Sequence, residues 1–232
     1  MIKLEQVTKR LQNQLILDKV NMEVPFGTRV VILGPSGAGK TVLLKIMAGL
    51  ISPDSGRVIY SDKILGYGRF TDNGTIRGKI GFVFQGGALF DSLTVADNIA
   101  LPLRERSGLG TKEIAERVNA LLCRVGLEEA GNLRIAELSG GMVRLVAIAR
   151  ALVNDPAYLF FDEPTSGLDP VNRERVCQLI SAVCAEQGRT AVIVTHDLEV
   201  AQKLGEQLYL LKECRLRPAK EIKKEDYELS GA

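Results

Sequence analysis

Gly34, Pro35, Ser36, Gly37, Ala38, Gly39, Lys40 and Thr41 spell GPSGAGKT, set between an apolar β-branched run and an apolar helical pattern. In that context the glycines let successive backbone N–H groups turn inward around phosphates. The lysine ammonium reaches the β- and γ-phosphates, and the threonine hydroxyl is a hard oxygen ligand for Mg²⁺. A glycine turn that binds nothing is the plain alternative. The second half of a hydrolytic site comes from YLFFDEP, where a buried run ends in Asp162, placed to hold the metal. The adjacent Glu163 can take a proton from an attacking water. Gln85 ends KIGFVFQ and His196 ends TAVIVTH. An amide at such a strand end can touch both metal and water, and an imidazole can donate to a γ-phosphate. For a lone histidine, a satisfied strand-end side chain is the competing account. A further glycine turn, Ser139, Gly140 and Gly141 of LSGGM, opens an alanine-rich helical pattern and forms a second phosphate socket. One nucleotide cannot fill both sockets within a chain.

These residues need a frame. RVVILG, KIGFVFQ, AYLFFDE, TAVIVTH and QLYLLK are short, apolar and β-branched, as suits central strands of a mainly parallel sheet. Between them, KTVLLKIMAGL reads as a helix. PVNRERVCQLISAVCAEQG places Val176, Leu179, Ile180 and Val183 on one helical face and ends at Gly188, a candidate cap. From about Gly86 to Asp155 the strand signal vanishes. There TKEIAERVNALLCRVGL spaces Ile114, Val118, Leu121, Leu122 and Val125 helically behind Thr111 as N-cap. The reading is an α/β core, residues 1–86 and 156–212, interrupted by a helical lobe, 87–155, and followed by a solvated C-terminal tail, 213–232.

Composition narrows the class. With 232 residues, 46% hydrophobic and 25% charged, the chain suits one globular domain. No apolar run approaches the roughly 18 residues of a membrane span, so a membrane role is expected to pass through a partner. The start, MIKLEQVTKRL, lacks the apolar core of a signal peptide, which places the chain in the cytosol as an expectation. A net charge of +2 favours neither nucleic acid nor a lipid surface. Cys123, Cys177, Cys184 and Cys214 have no paired spacing, so no disulfide framework or Cys/His metal site is suggested.

Taken in order, GPSGAGKT, Gln85, LSGGM, YLFFDE, SGLD and the Thr195–His196 pair resemble the ATP-binding subunits of ABC transporters over nearly the whole chain. The resemblance implies a P-loop NTPase core with an N-terminal antiparallel β portion. It also implies ATP and Mg²⁺ as ligands, and a head-to-tail homodimer in which Ser139, Gly140 and Gly141 meet the γ-phosphate of a nucleotide held by the other chain. Asp169 of SGLD would communicate across that interface. Integral membrane permease subunits would hold the protein at the cytoplasmic face of the inner membrane, with no nucleic-acid partner. The stretch FQGGALFDSLTVADNIALPLRE, with Met142 after the two glycines, is similar to the ATPases that serve MCE-domain proteins in bacterial phospholipid transport. Ala88, Leu89, Phe90 and Leu93 would then line the permease groove or, alternatively, pack inside the lobe. Other ABC importers and a non-transport, cell-division-type ABC regulator share the catalytic motifs. Three departures stand out. Leu11 lies near where relatives stack an aromatic ring on adenine. Leu145 occupies a position that is commonly basic, beside Arg144 and with Arg150 retained. The tail is short.

Overall fold

The computed structural model describes residues 1–67, 74–106 and 108–219. Ten strands and seven α-helices are defined there. β1 (Ile2–Leu11), β2 (Gln14–Val24), β4 (Ser55–Tyr60) and β5 (Lys63–Ile64) form an antiparallel sheet in the order β2-β1-β4-β5. A second sheet has the order β10-β9-β3-β8-β7-β6. Its members are β3 (Arg29–Leu33), β6 (Ile80–Val83), β7 (Tyr158–Asp162), β8 (Thr190–Thr195), β9 (Gln207–Lys212) and β10 (Arg215–Pro218). All its pairings are parallel except β10 against β9.

The parallel register puts every functional strand end on one edge. Leu33 pairs with Thr195, Asp162 with Val194 and Val83 with Phe161, so the glycine loop, the two acids, His196 and the Gln85 turn all leave the sheet on the same side. That is where ligands bind in open α/β sheets, because the connecting loops and helix starts converge there. β7 and β8 are buried at every position, which is why their sequences show no alternation.

α1 (Lys40–Met47) lies between the sheets, its Leu43, Leu44, Ile46 and Met47 sharing one core with Ile2, Leu4, Leu17, Val30, Ile32 and Phe160. A second core covers the opposite face of the parallel sheet. It gathers α3 (Val95–Arg106), α4 (Thr111–Val125), α5 (Gly140–Leu152), α6 (Pro170–Ala185) and α7 (Leu198–Leu204). The short α2 (Gly74–Arg77) precedes β6. Between 86 and 155 the described residues hold α3, α4, α5 and two 3₁₀ turns and no strand, with one bridge joining Thr94 to Arg134.

Four details differ from the sequence reading. α4 is capped by Gly110 without a side-chain bond, and Thr111 is its first residue. α6 ends at Ala185, and Gly188, at φ +59°, closes a 3₁₀ turn, Glu186–Gly188, beyond it. β6 stops at Val83, leaving Gln85 in a turn. Residues 215–218 of the tail form the antiparallel edge strand β10, exposed at Arg215, Arg217 and Pro218, with Leu216 packed against the core between the two sheets. The remainder of that tail, 220–232, lies outside the described residues.

Candidate functional site

β3 delivers the chain into a loop whose Gly37 and Gly39 sit at φ +78° and +96°. Only glycine holds that backbone without strain. At Gly39 a Cβ would also lie 2.6 Å from the Ile16 side chain, so the loop is pressed against β2. Lys40 follows as the first residue of α1. Its Nζ points back into the loop, donating to the carbonyls of Gly34 at 2.8 Å and Pro35 at 3.0 Å. The ammonium is buried at 6% exposure. Burial lowers its pKa, opposed by the nearby Glu163 charge. A glycine loop with this backbone and a buried ammonium pointing into it suits an anion.

The acids arrive from β7. The Thr41 hydroxyl donates to Asp162 Oδ1 at 2.7 Å, so two hard oxygens stand side by side. Burial raises the Asp162 pKa, countered first by the Thr41 hydrogen bond. A hydroxyl and a buried carboxylate in contact suit Mg²⁺, which takes few protein oxygens and keeps several waters. These two residues fit that ion, and bound there it would supply positive charge to the phosphate oxygens.

Glu163 leaves the strand at φ +47°, a left-handed conformation that costs a non-glycine residue roughly 1–3 kcal/mol. The turn swings its carboxylate back over the site. Oε1 lies 3.4 Å from Lys40 Nζ, and Oε2 lies 2.9 Å from His196 Nδ1 while also accepting the His196 backbone N–H at 3.4 Å. Glu163 is only 7% exposed, whereas the His196 ring is half exposed just past β8. One carboxylate thus joins the loop lysine to the strand-end histidine.

The second socket is separate. Ser139 caps α5, its Oγ accepting from Met142 N at 3.3 Å. Ser139 and Gly140 are exposed and Gly141 is buried. Gly141 is required for fit, since a Cβ there would stand 2.4 Å from Asn172 Oδ1. Asn172 in turn donates to Asp169 Oδ2 at 2.5 Å, while Asp169 Oδ1 accepts from the N–H groups of Val171 and Asn172, both at 3.0 Å, and caps α6. Those bonds, led by the Asn172 N–H, hold the Asp169 carboxyl below its usual range.

The structure therefore gathers Lys40, Thr41, Asp162, Glu163 and His196 into one cluster through the Lys40–Glu163, Glu163–His196 and Thr41–Asp162 pairs. It joins Ser139–Gly141 to Asp169 as a different group. Gln85 stands exposed in the turn two residues past β6, the strand that pairs with β7. Leu11 is 42% exposed and faces a cleft of about 880 Å³ with Leu50, Ile51, Tyr67 and Phe82, whereas Ile16 is the apolar side chain against the loop. Asn172 is missing from the sequence reading, although its place three residues past a capping aspartate carries the signal. Arg144 enters that reading only as a displaced charge.

Comparison with known proteins gives the family. The ABC transporter family model matches residues 17–166. The ATP-binding protein MlaF of the intermembrane phospholipid transport system of Escherichia coli (strain K12) is 36% identical over 204 residues, 88% of this chain and 76% of MlaF. The taurine import ATP-binding protein TauB of Pelagibacter ubique (strain HTCC1062) is 41% identical over 84% of this chain and 70% of its own. Among solved structures, a dimeric post-hydrolysis state of the ATP-binding cassette MJ0796 with ADP and Pi superposes with a TM-score of 0.86 at 37% identity. It covers 95% of this chain and 98% of that one. The chain belongs to the ABC transporter family and is its ATP-binding, ATP-hydrolysing kind of subunit.

Proposed function

We propose that this subunit powers bacterial phospholipid transport with an MCE-type system. It would close as a head-to-tail homodimer on ATP and be held by permease subunits at the cytoplasmic face of the inner membrane. Residues 1–86 and 156–212 act as the catalytic core and 87–155 as the helical lobe. The observation that carries the catalytic part is the Glu163 carboxylate bonded to His196 and paired with Lys40, beside the Thr41–Asp162 pair. Glu163 takes the proton from the attacking water, and His196 orients it and reaches the γ-phosphate. The phosphates lie in the loop from Gly34 to Thr41. Thr41 and Asp162 would hold Mg²⁺, with Gln85 as a further ligand, and the ion would supply positive charge to the phosphates. Ser139, Gly140 and Gly141 serve the nucleotide of the partner chain, which answers why one chain carries two sockets.

The lipid cargo is supported by the likeness to MlaF and by the stretch from Phe84 to Glu105. A second reading, import of a small solute, is favoured by the 41% identity to TauB. The experiment pairs two variants. Lys40→Ala weakens binding of a fluorescent ATP analogue by the monomer. Ser139→Ala leaves monomer affinity nearly intact but abolishes ATP-driven dimerisation. Both stop ATP-dependent phospholipid transfer between vesicles reconstituted with the co-purified membrane partners. Equal loss of monomer affinity would place Ser139 in its own chain's site. Movement of taurine without phospholipid would overturn the cargo.

A further inference from the structure

α5 carries two arginines beyond its Ser139 start. Arg144 donates through Nη1 to the Phe84 carbonyl and through Nη2 to the Ser166 carbonyl, each at 3.3 Å. Arg150 donates to the carbonyls of Gly87 at 2.8 Å and Ala88 at 2.7 Å. Gln85 therefore lies between two clamps attached to one helix. Ser166 opens the turn that leads through Gly167 and Leu168 to Asp169. The Arg144 guanidinium is half-buried and within electrostatic reach of Asp162. Its neighbour Leu145 is 1% exposed in the core, so the charge at 144 and the apolar side chain at 145 each face the surroundings they need.

A guanidinium is a rigid planar fork with donors at fixed angles, so holding two carbonyls at once fixes the distance between the segments that carry them. Those segments flank the hydrolytic cluster: Phe84 precedes Gln85, and Ser166 follows the Asp162–Glu163 turn. The third attachment is the helix itself, whose first turn is the second socket.

We propose that Arg144 is a positioning residue that locks the Gln85 turn and the Ser166–Asp169 turn to α5, so that engagement of the Ser139 socket by a partner's nucleotide is transmitted to this chain's own hydrolytic site. This rests on the head-to-tail reading above. Without the fork, α5 can shift on closure while Gln85 and the Ser166 turn lag behind.

The test uses the full chain as Arg144→Met, which keeps length and removes the donors, and as Arg144→Lys, which keeps charge without the fork. Melting temperature, monomer affinity for a fluorescent ATP analogue, and ATPase rate against ATP concentration are measured on each. In Arg144→Met, monomer affinity stays within about twofold of the parent, because no phosphate-binding group has gone. Turnover falls roughly ten- to hundredfold, the effect of losing hydrogen bonds to a charged donor at the transition state. The Hill coefficient falls from about 2 towards 1, the signature of two sites losing their coupling. Arg144→Lys recovers part of the rate and little of the cooperativity. Unchanged turnover and Hill coefficient in Arg144→Met would overturn the proposal, as would a rate loss that follows the fall in melting temperature with cooperativity intact. If the parent chain itself fails to bind ATP, or hydrolyses it without cooperativity, the head-to-tail reading fails first and takes this inference with it.

Discussion

Glu163 links the loop lysine to the strand-end histidine, and its backbone explains how. A strand continuing straight past Asp162 would send the next side chain to the opposite face. The left-handed turn at φ +47° returns it to the lysine and histidine instead. Such strain persists only where the surroundings impose it. Glu163→Gln keeps the shape and removes the base, so Mg-ATP binding persists while turnover falls roughly 10²–10⁴-fold, and ATP traps a dimer visible by size-exclusion chromatography. Hydrolysis near the parent rate, measured with the membrane partner present, would remove Glu163 from the base position. Much of this cluster is legible in the sequence alone. A glycine loop between strand and helix has few other uses, and adjacent acids at the end of an apolar run gain meaning from it. The positive φ of Glu163 is not legible, because nothing in a Glu-Pro step announces it. Nor is the link from Asn172 to Gly141, which depends on two helices meeting.

That meeting belongs to the scale of elements. α5 and α6 approach at their N-termini so closely that Gly141 has no room for a side chain, and Asn172 bridges from there to the Asp169 cap. Gly141→Ala forces Asn172 aside and destabilises the protein by roughly 1–3 kcal/mol through overpacking. Asn172→Ala deletes the amide atoms that the new methyl would meet. The double variant should therefore recover part of the loss, a coupling measurable as non-additive denaturation midpoints. Strictly additive losses would mean that the two helices adjust independently. The parallel strands are readable as elements because full burial makes them apolar runs. The antiparallel strands are not, for a physical reason. In β1 the buried residues run Ile2, Leu4, then Val7, and in β2 Leu17, then Val20, Met22 and Val24. Bulges at Gln6 (φ +51°) and Lys19 (φ +47°) shift the alternation by one residue and hide the two-residue period.

For the molecule as a whole, the proposed function asks which surface would receive the permease, and the structure separates side chains that the sequence groups together. Leu89 is partly buried against the core that α3, α4 and α5 share, which assigns it to lobe packing. Phe90 is half exposed. Its backbone is pinned by the fully buried Asn98, whose Oδ1 accepts from the Phe90 N–H at 2.8 Å and whose Nδ2 donates to the Phe90 carbonyl at 3.0 Å. Behind it, Arg150 holds Gly87 and Ala88. An apolar ring displayed on a backbone fixed by buried polar groups suits a docking contact better than a mobile loop would. Phe90→Asp should accordingly leave folding stability within about 0.5 kcal/mol of the parent, as surface changes do, and leave ATP binding intact, while co-purification with the permease is lost. Leu89→Asp should behave in the opposite order. A charge driven into an apolar contact costs several kcal/mol, so the melting temperature falls before any question of docking arises. Asn98→Ala strands the Phe90 backbone groups and should show both defects, loosening the ring and lowering stability. Measuring melting temperature and permease capture on the same preparations separates the three. If Phe90→Asp still captures its permease and supports transport, the exposed ring is not the contact, and the partner must dock elsewhere on the molecule.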